Sequence, residues 1–346
     1  MFQTNIILFL QSFESALLNL FFGAINSVGY SYIYIPLLLI IMFGISFRKG
    51  FYLLHVSLWA VFVAIFLKNY FALPRPFNVD LNIKLINRGY QNSTIFDSMG
   101  ARHFLGGLPN DVVTYFRNTT NDHSYGLPSG HVSLTTALWG SIFQLFQQLW
   151  VKVLAIALVV LMSITRMYLG QHFLADVLGG LFIGAFFMLF FYYYVYKSDS
   201  IKDTFSQRVT YFSFSPKAAK LLAYFIIAPL IIYLILPQKY DCYPGTLLGI
   251  NVGFVLLTIK GIPLDGGTFF QKTFRILTAI VLFFVTSLLL KYLSLVGIPS
   301  QEFIRALVVG FTMIYVTTEL SVKLRLYKRN DQSYKRKVIK KISSAL

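Results

Sequence analysis

Three short stretches carry side chains suited to one piece of chemistry. Lys68 is followed, after six intervening residues, by Arg75-Pro76. Pro128-Ser129-Gly130-His131 opens an apolar run. Arg166, His172 and Asp176 stand in "TRMYLGQHFLADVLGG". Three fixed cations gathered at one level would repel each other without an anion between them. The planar forks of Arg75 and Arg166 match phosphate oxygens, and Lys68 adds a point charge. A Ser-Gly step at a helix start offers backbone N–H groups, and Ser129 adds a hydroxyl donor beside Gly130. Together these donors fit a phosphoryl group better than a carboxylate.

His172 and Asp176 are four residues apart and share a face of one helix. Asp176 can accept the proton of one ring nitrogen, which fixes the tautomer and leaves the other nitrogen able to attack. His131, on a different helix, could serve as general acid for a leaving oxygen. Arg166 and His172, with Gly170 between them, cannot share one helical face and should meet across a turn.

Each residue alone has a plainer reading. Lys68, Arg75 and Arg166 could be snorkelling anchors, Pro128-Ser129-Gly130 helix-start punctuation, and His131 an interfacial side chain. Joint spacing and sidedness favour chemistry. A serine protease built on Ser129 leaves the cations unexplained and lacks the Gly-x-Ser-x-Gly elbow. A zinc site of His131, His172 and Asp176 is disfavoured by the same cations. A non-enzymatic transporter of anionic lipids stays open as an alternative.

Membrane helices must position these groups. Of 346 residues, 56% are hydrophobic and only 12% charged, and the mean hydropathy is +0.66. A soluble domain carries about a quarter charged residues. A spanning helix needs about 20 apolar residues. Apolar segments read at 31–47, 51–71, 130–147, 150–165, 173–196, 218–236, 244–260, 274–293 and 303–322. Residues 4–26, interrupted by Gln11, Ser12, Glu14, Ser15 and Asn19, read as a further, weaker span, with an amphipathic helix lying in the interface as the alternative, rather than a cleaved signal peptide. The expected fold class is an all-α polytopic transmembrane bundle.

Most of the 30 Lys and Arg residues fall on one side of the resulting topology, which the positive-inside bias makes cytoplasmic. The three chemical clusters then share the opposite, extracytoplasmic face. The net charge of +17 therefore does not signal nucleic acid. The tail "KLRLYKRNDQSYKRKVIKK" suits anionic lipid headgroups. The single cysteine, Cys242, excludes an intramolecular disulfide.

Residues 1–196 form a front unit that includes an extracytoplasmic loop over 77–127, read as a lid or headgroup selector. Short helices are expected within this loop near 95–105 and 109–117. A basic linker follows over 197–217, a second apolar bundle over 218–322 with Pro229 kinking its helix, and a basic tail over 323–346. Asp265 reads as a turn residue, and Glu302, Arg305 and Glu319 as interfacial or paired. His55 reads as a packed histidine, and His103 and His123 as loop residues. Asn92 and Asn118 begin glycosylation-type sequons, which mean nothing in a bacterium.

The spacing resembles that of the type 2 phosphatidic acid phosphatase family: Lys, six residues, Arg-Pro; Pro-Ser-Gly-His; Ser-Arg, five residues, His, three residues, Asp. Thr165 replaces the serine of the third motif. The likeness covers roughly residues 5–196 and is closest to bacterial integral-membrane members with added C-terminal helices. It implies a six-helix core followed by about four further spans, and a lipid phosphate or diphosphate as substrate. His172 would form a phosphohistidine oriented by Asp176, and His131 would protonate the leaving group. Lys68, Arg75, Ser129, Gly130 and Arg166 would hold the phosphoryl oxygens, with no metal and no cofactor. A multi-pass protein of the bacterial inner membrane is implied. The identity of the lipid stays open, and a soluble substrate such as a sugar phosphate is the second choice.

Overall fold

The computed structural model describes residues 1–86, 92–119, 125–197, 223–292 and 300–329. Apart from isolated bridge residues at Leu85, Pro263 and Arg329, regular structure in these residues is helical. The front of the chain forms α1 (Asn5–Gln11), α2 (Ala16–Ser27), α3 (Ser31–Ile40), α4 (Phe47–Phe71), α5 (Pro76–Val79), α6 (Asn110–Thr119), α7 (Gly130–Leu145), α8 (Leu149–Tyr168) and α9 (Leu174–Phe191). The rest forms α10 (Ala228–Ile235), α11 (Cys242–Lys260), α12 (Phe269–Tyr292), α13 (Gln301–Phe311) and α14 (Thr317–Lys323). Wider π turns extend α3, extend α9, precede α10 and join α13 to α14. Pro229 sits where the π turn gives way to α10, a position where its missing N–H costs little. His123, the linker and most of the basic tail lie outside the described residues.

Five helical stretches are long and apolar enough to cross a membrane: Phe47–Val79, Leu149–Tyr168, Leu174–Tyr196, Phe269–Tyr292 and Gln301–Lys323. This is an all-α bundle of an integral membrane protein, with fewer full-length spans among the described residues than the apolar segments suggested. Ser31–Ile45, Ala223–Ile235 and Cys242–Thr258 are shorter apolar helices. At about 1.5 Å per residue, the 16 residues of α7 also fall short of a hydrocarbon core about 30 Å thick.

Segment 4–26 is not one straight helix either. α1 and α2 meet at 120°. The interrupting polar residues cause the break. Gln11 leaves the apolar face, donating to Lys84 O at 2.8 Å and Tyr168 O at 2.9 Å and accepting from Lys84 N at 3.0 Å. Ser15 starts α2 by accepting from Leu18 N at 3.3 Å.

The chain divides into two compact units. The first comprises Met1–Ile35 and Leu53–Tyr192. Its core joins Ile7, Val132, Met162, Phe173 and Val177 to Val79, Ile83 and Val112 of the 77–127 loop. The described part of that loop is therefore packed structure. Arg117 of α6 ties it down, donating to Phe71 O at 2.5 Å and Ala72 O at 3.2 Å. These carbonyls at the end of α4 would otherwise lack helical partners. The second expected helix of the loop is α6. The first does not form, because alternate N–H groups of 95–105 bond elsewhere: Met99 N to Val79 O and Ala101 N to Phe2 O, both at 3.0 Å. His103 is exposed in this irregular stretch, and His55 is buried within α4.

Two close approaches set the geometry of the first unit. Gly180 and Gly184 lie on the α9 face against α7, where a Cβ would stand 2.7 Å from Ser129 O and 2.5 Å from Thr136 Cβ. Small residues four apart let helix backbones touch in this way. Gly170, between α8 and α9, has φ of 71°, and a Cβ there would stand 2.3 Å from Lys84 O. Gly170→Ala is expected to destabilise the protein by about 1–3 kcal/mol. The measurement is thermal unfolding in detergent, where an unchanged midpoint would contradict the strain.

The second unit comprises Pro36–Tyr52 and Tyr193–Leu346. In it α11 and α13 cross closely at Gly245, Gly249 and Gly310. Asp265 does more than turn the chain: its Oδ1 accepts from Phe47 N at 2.8 Å, at the first residue of α4. Glu302 pairs with Arg305 at 2.6 Å, and Glu319 pairs with both Lys260 and Arg329. Arg275 is fully buried against the Tyr327 ring, 4.0 Å from its centroid.

Candidate active site

The three sequence clusters meet in the first unit at the start of α7, the end of α4 and the turn between α8 and α9. α8 ends at Tyr168, and the positive φ of Gly170 reverses the chain. His172 N then bonds Arg166 O at 3.2 Å, so the two residues do meet across a turn. His172 and Asp176 are both buried. His172 Nδ1 and Asp176 Oδ2 lie 3.0 Å apart, and Phe173 N donates to the same carboxylate oxygen at 3.1 Å. With its proton on Nδ1, the imidazole donates to Asp176 and keeps a lone pair on Nε2. Burial, followed by the charges of Lys68, Arg75 and Arg166, holds the His172 imidazole well below its ordinary range and therefore neutral.

The close contact of α7 with α9 joins the second motif to the third. Ser129 N donates to Asp176 O at 2.8 Å. Ser129 occupies the N-cap position of α7, where a serine ordinarily bonds an N–H of the first turn. Its side chain makes no such bond, and its fully buried Oγ has no hydrogen-bond partner among the described residues. The same is true of His131 Nε2 and Asp176 Oδ1. Their convergence at one place leaves three polar atoms available to a bound group. Gly130 faces Lys68, whose Cε would lie 3.8 Å from a Cβ at that position.

Lys68, in the last turn of α4, donates to Tyr125 O at 2.8 Å and Gly126 O at 3.0 Å. Arg75 precedes α5, and Asn78 Oδ1 accepts from its backbone N–H at 3.0 Å. Both side chains interact electrostatically with His131 and His172, as does Arg166. Arg166 is buried and bonds two amide oxygens, Asn26 Oδ1 at 2.5 Å and Gln171 Oε1. All eight residues singled out by type and spacing thus stand together: an imidazole with its carboxylate, a second imidazole, three cations and a helix start. Among the described residues, no group of three or more His, Cys, Asp or Glu side chains could hold a metal ion.

Sequence reasoning missed Asn26, Gln171 and the carbonyls of Tyr125 and Gly126. Gln171 was open to notice, standing between Arg166 and His172. Asn26 carried a fainter signal, as a lone amide in the apolar stretch "LFFGAINS".

A family model described as the PAP2 superfamily matches residues 49–200. Among solved structures, the crystal structure of LpxE from Aquifex aeolicus is similar at 20% identity and a TM-score of 0.43, covering 56% of this chain and 96% of that one. No curated protein matches the chain.

Proposed function

We propose that this protein, whose residues 49–200 match the PAP2 superfamily model, hydrolyses a lipid-linked phosphomonoester or diphosphate at the extracytoplasmic face, through a phosphohistidine and without a metal. The observation that carries this reading is the buried His172–Asp176 pair facing His131 in the field of Lys68, Arg75 and Arg166.

His172 Nε2 attacks phosphorus, and the bond to the lipid oxygen breaks. His131 gives that oxygen its proton. Asp176 stabilises the positive charge that the imidazole acquires. The three cations, Ser129 Oγ and the first N–H groups of α7 hold the phosphoryl oxygens as charge builds on them. Water then attacks the phosphohistidine with His131 as base, and inorganic phosphate departs.

Purified protein in detergent is expected to release phosphate from one or more members of a lipid panel in the presence of EDTA, with inhibition by orthovanadate. The panel holds phosphatidic acid, phosphatidylglycerol phosphate, undecaprenyl diphosphate, lipid A and a sphingoid phosphate, with a soluble sugar phosphate alongside. Turnover of the sugar phosphate alone would move the substrate class. Activity lost in EDTA and restored by zinc would replace the mechanism.

A further inference from the structure

Arg166 is one of three cations assigned to the phosphoryl group, and a buried guanidinium grips an anion well only when its plane is fixed. Two amide oxygens fix it. Gln171 is local, five residues along the same turn. Asn26 comes from α2, 140 positions away and ahead of the matched residues 49–200. The Asn26 side chain is buried, and its orientation is itself set. Its Nδ2 donates to Tyr30 OH at 3.2 Å, which turns Oδ1 towards Arg166. The Tyr30 ring in turn lies edge-on to the His131 ring, with centroids 5.0 Å apart and planes at 87°. The end of α2 and the turn that follows it therefore touch both the phosphate-binding arginine and the second imidazole.

α2 is held where it can do this. Phe22 packs on Tyr168 with ring centroids 4.4 Å apart, and Tyr168 OH donates to Asn19 Oδ1 at 2.6 Å. Asn19 and Asn26 are seven residues apart on one face of the helix. One asparagine anchors the end of α8, and the other reaches the arginine in its last turn.

We infer that Asn26 is a positioning residue for phosphate recognition, its amide oxygen holding the Arg166 guanidinium in the plane that meets the phosphoryl oxygens. This makes α2, ahead of the matched residues 49–200, part of the working site. The inference rests on the phosphatase reading for its chemistry, though not for its geometry.

The test compares Asn26→Leu, which keeps the size and loses the oxygen, with Asn26→Asp, which keeps an acceptor for Arg166. Asn26→Leu is expected to lower kcat/KM by about 30–100-fold, as a misplaced binding group does. It is also expected to weaken orthovanadate inhibition by a similar factor. Asn26→Asp is expected to recover both to within about fivefold of wild type, since the acceptor is what matters. In an Arg166→Lys background, Asn26→Leu should cost no more than about threefold further, because coupled residues are not additive.

Wild-type kinetics and orthovanadate inhibition in Asn26→Leu would overturn the inference. So would equal losses in the Leu and Asp variants with lowered melting temperatures, which would show a packing role only. If wild-type protein turned over no phosphate ester, the proposed function would fail first. The stabilisation of wild type by orthovanadate in thermal unfolding, set against that of the two variants, would then decide the role of Asn26 alone.

Discussion

His172→Ala is expected to lower phosphate release by at least about 10⁴-fold, the order that follows when the attacking group itself is removed. The side chain is buried, bonds Asp176 at 3.0 Å and sits in a field of three cations. No other described imidazole has a carboxylate four residues on, held by a backbone N–H. The variant keeps Lys68, Arg75, Arg166 and Ser129, so it should still bind orthovanadate non-covalently and be stabilised by it. Loss of turnover with retained anion binding is therefore the expected pair of results. Wild-type turnover in His172→Ala would remove the nucleophile assignment. Loss of monodispersity in detergent would call for His172→Gln, which preserves a hydrogen bond towards Asp176 and should be equally inactive.

His131→Gln separates the two halves of the reaction. A lipid alkoxide needs a proton to leave, so the variant should lose about 10²–10⁴-fold on a lipid phosphate, the usual range for a general acid. A nitrophenolate leaves unprotonated. With p-nitrophenyl phosphate the first step, read as a burst in stopped flow, should fall by less than about tenfold, because leaving-group protonation contributes little there. Breakdown of the phosphohistidine still needs His131 as base, so the phosphoenzyme should accumulate and carry acid-labile radiolabel on His172. Equal losses on both substrates without a burst would show that His131 does not protonate the leaving group. The buried, unpartnered Nε2 of His131 and its place at the start of α7, across from His172, motivate this division of labour.

The gathering of the candidate groups in the front of the chain was largely legible before any coordinates. Lys68, Arg75, Ser129, His131, Arg166, His172 and Asp176 are residue types that membrane helices carry reluctantly, and their spacing alone suggested an anion, a nucleophile and an acid. The pairing of His172 with Asp176 was expected from helical periodicity, yet His172 lies in the turn just ahead of α9 and meets Asp176 in the first turn of that helix; the turn between Arg166 and His172 was legible from Gly170. Long-range side-chain pairing was not legible. Nothing local tells Asn26 from Asn19, and only the packing of α2 on α8 gives one of them to Arg166 and the other to Tyr168. Gln11 read as a flaw in a span, yet it is a hydrogen-bonded corner between helices meeting at 120°.

The sequence by itself determined the all-helical membrane class, through low charge and long apolar runs, and the choice of candidate reacting groups, through residue type and short-range spacing. Those are local properties, set by side-chain chemistry and the periodicity of one helix. The tertiary structure alone decided how far the described apolar segments extend as helix, that the described part of the 77–127 loop is packed into the core, and which amides hold Arg166. These depend on partners tens to more than a hundred residues apart. Burial is what selects them, because a polar atom withdrawn from water must find its partner wherever the fold supplies one.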